Sequence, residues 1–171
     1  IGDRDRRILA PDFEVCAPRT GNDANALYEN PKRIKKRWRE RFEMPLDQAI
    51  AGFMEPSSTD YSPIMEILQV VSLSAFPSES NHADKKIILI SDMLQHTPEW
   101  SHYRGQLDFA ALEQTAYFQR IRTDLKGAEV QILYVRRDGM ENLQTTRHAF
   151  FWSDFISAIG GRVTLIEKID G

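Results

Sequence analysis

Three short apolar runs, Ile87–Ile90, Val130–Val135 and Val163–Ile169, alternate with stretches of helical period, and this alternation constrains the fold more than any other feature. Runs of that length with few polar interruptions are the pattern of buried parallel strands. Phe109–Lys126 reads as one helix, with Leu112, Ala116, Phe118 and Ile121 among its apolar positions. His148–Ile159 reads as an amphipathic helix that Gly160-Gly161 ends. Upstream, Ser62-Pro63 opens a helix from Ile64 to about Phe76, with Ile64, Ile67, Leu68 and Val71 on one face. The prediction is an α/β fold: a doubly wound, mostly parallel sheet with helices on both faces, of Rossmann-like type.

The first third is organised differently. A strand is expected around Phe13–Cys16, and Arg19–Pro31 reads as a loop. Asn30-Pro31 starts a helix in which Ile34, Trp38 and Phe42 recur every four residues, Pro45 interrupts it, and Leu46–Met54 forms a second helical piece. The surface of the first piece carries the charge run Lys32–Arg41. Such a run can contact nucleic-acid phosphates. It can equally be the solvated face of a docked helix. With a net charge of −3 over 171 residues, the docked helix is the reading taken, and nucleic acid is not the expected partner. A single domain over 1–171 with a basic helical insertion at 31–55 follows.

Composition is that of a soluble globular protein, and no apolar stretch reaches membrane-spanning length. The one cysteine, Cys16, excludes an intrachain disulfide and a cysteine-based zinc site. It is expected to be a buried structural thiol, and its solitude fits a reducing, cytoplasmic compartment. Neither a Gly-x-Ser-x-Gly elbow nor a phosphate-binding loop is present. The histidines, His82, His96, His102 and His148, lack metal-motif spacing, and those in loops are expected in solvent.

Asp92 is the sharpest candidate. It follows the Ile87–Ile90 strand within Ser91-Asp92-Met93, at the edge where open α/β sheets bind ligands. It can bind a cation or ligand there, or cap the following turn. Ser57-Ser58-Thr59-Asp60-Tyr61-Ser62-Pro63 precedes a helix, and its hydroxyls suit either a hard cation or an N-cap, a role for which Ser62 with Glu66 downstream is well placed. In the loop after Asp92, His96, Trp100 and Tyr103 either face a partner or pin the loop to the sheet.

Taken together, a Thr-bearing loop, an amphipathic helix and a strand ending in Asp resemble the von Willebrand factor A domain family, over roughly Ser57 to the C-terminus. The resemblance implies a protein-binding module in which Mg²⁺ at the sheet's carboxyl edge captures a partner's carboxylate. Asp92 and Thr59, with Ser57 and Ser62 as further candidates, would sit at that ion. The family's Asp-x-Ser-x-Ser motif is absent from these residues, and Met93 stands where a glycine is usual. The chain also opens without methionine, so the first strand and its motif are expected to precede Ile1; a degenerate, metal-free member is the other possibility. A metal-assisted hydrolase using Asp92 and a nucleic-acid accessory protein using the Lys32–Arg41 helix are the alternative functions.

Overall fold

The structure is a computed structural model that describes residues 15–22, 24–25, 27–53, 61–75 and 84–170. Thr59, Ser57, His82 and the first half of the expected Phe13–Cys16 strand lie outside the described residues. Val15 and Cys16 are described, in irregular backbone, and Cys16 is exposed rather than buried. The chain divides into two compact units, 1–58 and 59–171.

In the first unit, helix α1 spans Pro31–Trp38 and helix α2 spans Met44–Phe53. Asn30 caps α1 by accepting from the Arg33 N–H at 3.1 Å. The expected interruption at Pro45 takes the form of a π-helical turn, Arg39–Glu43, and the chain stays helical through it. The wider turn comes where the proline ring would meet the Arg41 carbonyl in a regular helix. Ile34, Trp38 and Phe42 are half-buried, while the cations of 32–41 are exposed. Lys36–Glu40 (3.7 Å) and Arg39–Glu43 (3.5 Å) form ion pairs along the helix surface.

The second unit is a three-stranded parallel sheet with helices. Helix α3 is Ile64–Ala75, strand β1 Lys86–Ser91, helices α4 and α5 Phe109–Glu113 and Ala116–Ile121, strand β2 Glu129–Arg136, helix α6 Thr146–Ala158 and strand β3 Arg162–Asp170. The order is β1-β2-β3, both pairs are parallel, and Ile87 aligns with Val130, which aligns with Val163. A register shift follows, so that Gln131 pairs with Leu165.

Helices on both faces were expected, yet among the described residues one face alone is packed. Ile87, Leu89, Val130, Ile132, Tyr134, Val163 and Ile166 join the core formed with α3, α4, α5 and α6. On the opposite face Ile88 and Ile90 remain 55% and 61% exposed. The reason is topological. Both crossovers step in the same direction across the sheet, and right-handed connections then put their helices on the same side.

The expected single helix Phe109–Lys126 is two. Thr115 divides it: its hydroxyl donates to the Leu112 carbonyl at 2.6 Å and accepts from the Phe118 N–H at 3.1 Å, so it starts a new helix. Ser62 does not cap α3. The Met65 N–H donates instead to Oε1 of Gln95, thirty residues away in sequence, at 3.1 Å. Nε2 of Gln95 donates to Glu66 and to the Tyr117 hydroxyl, which itself donates to Glu66 at 2.7 Å. One buried amide thereby joins the loop after β1 to α3 and α5.

Candidate functional site

Asp92 begins the irregular segment directly after β1. Its Oδ1 accepts from the Leu94 N–H at 3.0 Å, and Ser91 Oγ accepts from the Met93 N–H at 3.0 Å, so the two side chains fold the backbone into a tight exit. The turn needs a left-handed residue, and Met93 supplies it at φ 58° with its side chain fully buried. A non-glycine residue held in that region is strained, and such strain gathers at functional sites.

The second oxygen of Asp92 faces Arg137: Oδ2 lies 3.4 Å from Nη1, and the same nitrogen donates to the Tyr103 hydroxyl at 3.1 Å. Tyr103 is 40% exposed. Gln144 fixes this arrangement. Its Nε2 donates to the carbonyls of Asp92 (3.0 Å) and Val135 (2.8 Å), and its Oε1 accepts from the Arg137 N–H at 2.8 Å. The ends of β1 and β2 and the loop before α6 are therefore held by one side chain. Beyond β2 and β3 opens a cleft of about 750 Å³, lined by Tyr134, Arg136, Arg137, Asp138, Glu141, Gln144 and Lys168. It lies at the carboxyl edge of the parallel strands.

Behind the cleft runs a buried polar chain. Tyr134 Oη meets Nδ1 of His148, and His148 Nε2 lies 2.8 Å from His102 Nδ1. Trp152 Nε1 donates to the Met93 carbonyl at 2.8 Å and approaches His148 Nε2 at 3.2 Å. Both histidines are completely buried, so the expectation of a solvent-exposed His102 is corrected. Phe151 and Trp152 pack edge-on against its ring. Burial drives His102 down to about 3 with help from the neighbouring His148, and burial drives His148 down to about 4. Both are neutral at physiological pH. Burial, reinforced by the Asp92 charge, holds the Tyr134 hydroxyl protonated.

Of the expected metal ligands, Thr59 and Ser57 lie outside the described residues. Ser62 exchanges both of its backbone hydrogen bonds with His96 at 2.9 Å. His96 is half-buried and bonds Ser101 Oγ through Nδ1 at 2.7 Å. Trp100 is buried and stacks on Phe151, so it pins the loop, whereas Tyr103 stays accessible. Among the described residues no three of His, Cys, Asp and Glu gather as metal ligands. Sequence reasoning missed Arg137, Gln144 and the Tyr134–His148–His102 chain. His148 was legible as a member of the α6 apolar stripe with Phe151, Trp152 and Phe155.

No protein-family model, curated protein or solved structure matches the chain. Among the described residues no helix is long and apolar enough to cross a membrane.

Proposed function

We propose that this chain is a protein-binding module that captures an acidic group of its partner at the carboxyl edge of the parallel sheet. The observation that carries the reading is the cleft beyond β2 and β3, which is lined by both Arg137, its backbone held by Gln144, and Lys168. A guanidinium offers a planar fork of donors that suits a carboxylate. The resemblance to von Willebrand factor A domains supports the same edge and the same kind of partner.

In that family-like form, Asp92 with Thr59 and Ser57 would hold Mg²⁺. The described residues do not by themselves fit a divalent cation. Mg²⁺ takes near-octahedral oxygen coordination. Here one oxygen of Asp92 is committed to its turn and the other faces a guanidinium, and among the described residues no three of His, Cys, Asp and Glu gather as metal ligands. The ligand contact is therefore assigned to Arg137.

Calorimetric titration of a capped peptide carrying a single aspartate, with and without Mg²⁺, tests the reading. Binding without Mg²⁺ that Arg137→Ala weakens about tenfold is expected, in line with a charge-assisted pair. Binding that requires Mg²⁺, is lost in Asp92→Ala and is unchanged in Arg137→Ala would return the site to the metal-dependent form.

A further inference from the structure

We infer that Tyr134 donates a hydrogen bond to an acceptor oxygen of the acidic ligand in this cleft, its proton directed there by His148 and His102. The inference rests on the binding role proposed above for the cleft. Its own basis is the proton arithmetic of a closed chain. Each neutral imidazole has one N–H and one bare nitrogen. His148 touches Tyr134 Oη with Nδ1 and His102 Nδ1 with Nε2, so fixing one proton fixes them all.

Two arrangements are open. With protons running inward, Tyr134 donates to His148, His148 donates to His102, and the chain ends in an N–H at His102 Nε2. With protons running outward, His102 Nδ1–H donates to His148 Nε2 and His148 Nδ1–H donates to the Tyr134 oxygen. The flanking donors do not decide between them. Trp152 Nε1–H approaches His148 Nε2 at 3.2 Å and the Gln95 N–H approaches His102 Nδ1 at 3.3 Å, which favour opposite arrangements. Both have a closer acceptor in the Met93 carbonyl, at 2.8 and 3.1 Å.

The inner end decides. His102 Nε2 is buried without a partner among the described residues. An orphaned buried N–H is rarer than an unfilled acceptor. The Phe151 ring, 4.7 Å away between centroids, is a weak substitute for an acceptor. The outward arrangement leaves a bare lone pair there instead. Tyr134 then receives a hydrogen bond from His148 and has a proton left to give. Tyr134 is 2% exposed yet is one of the residues that line the cleft with Arg137 and Lys168; on this inference its remaining proton is turned to the cleft, where it complements an oxyanion.

Long-range proton–nitrogen correlation spectra of the histidine rings read the arrangement directly in the unaltered chain. The outward arrangement places the His148 proton on Nδ1; a proton on Nε2 overturns the inference. Acetate, titrated into wild type, Tyr134→Phe and Arg137→Ala and followed by amide shifts, supplies the ligand test. Tyr134→Phe is expected to weaken acetate about tenfold, as for a lost hydrogen bond to a charged group. Equal affinity in wild type and Tyr134→Phe, with loss in Arg137→Ala, overturns the role of Tyr134 and leaves the cleft reading standing. No saturable shift in the wild type overturns both.

Discussion

Met93 shows how a single residue reconciles two demands. Its backbone sits at φ 58°, where glycine is at ease, while its side chain fills the core. Met93→Gly relieves strain of order 1 kcal/mol. It also deletes a buried side chain whose truncation costs about 2–5 kcal/mol. The substitution is therefore expected to destabilise, and urea unfolding checks this; a more stable variant would show that the side chain contributes little. The buried histidines make a second prediction at this scale. Their values in the folded chain, about 3 for His102 and about 4 for His148, lie below the ordinary 6.5. The unfolded chain therefore binds more protons than the folded one as pH falls from 6.5 towards 4. Their contribution is complete above pH 6.5 and is lost below it, by about 1.4 kcal/mol per histidine per pH unit. Urea midpoints at neutral pH and near pH 5 measure this, and His148→Phe should flatten the profile. His148 was legible in the apolar stripe of α6, whereas the burial of His102 and the left-handed Met93 were not, because both depend on partners distant in sequence.

At the scale of elements, strand positions were legible and the joints between elements were not. The apolar runs mark β1, β2 and β3 to within a residue at each end, because continuous apolar character is a local property. The cap of α3 is non-local: Gln95 reaches it from the loop after β1, so Ser62 looked like the obvious cap while the actual one came from elsewhere. Gln95→Ala would leave the Met65 N–H, Glu66 and Tyr117 short of partners. A loss of about 2–4 kcal/mol is expected, from unsatisfied buried groups at roughly 1–3 kcal/mol each with partial relaxation. Chemical denaturation of Gln95→Ala against Gln106→Ala, whose side chain accepts a single hydrogen bond from the Ser101 N–H, separates this from a generic loop effect. A comparable loss in both variants would contradict it. Thr115 is another such joint: its hydroxyl accepts from the N–H three residues on and starts a new helix inside what the apolar period reads as one.

At the scale of the second unit, its sheet separates a packed face from one that is open among the described residues. Ile132, on the packed face, is 1% exposed, whereas Ile88 is 55% exposed. Ile132→Ala is expected to cost about 2–4 kcal/mol, and Ile88→Thr less than about 0.5 kcal/mol. Equal losses would mean that both faces are covered. The same topology that, among the described residues, packs helices on one face alone brings the carboxyl ends of β1 and β2 side by side, which lets Gln144 hold Asp92 and Arg137 against each other. The most direct test of the binding edge is an amide chemical-shift map of the labelled chain titrated with the single-aspartate peptide. The account predicts shifts concentrated at Asp92, Arg137 to Gln144 and Lys168. Shifts confined to Ile88 and Ile90 or to α1, or no saturable shift at all, would contradict it.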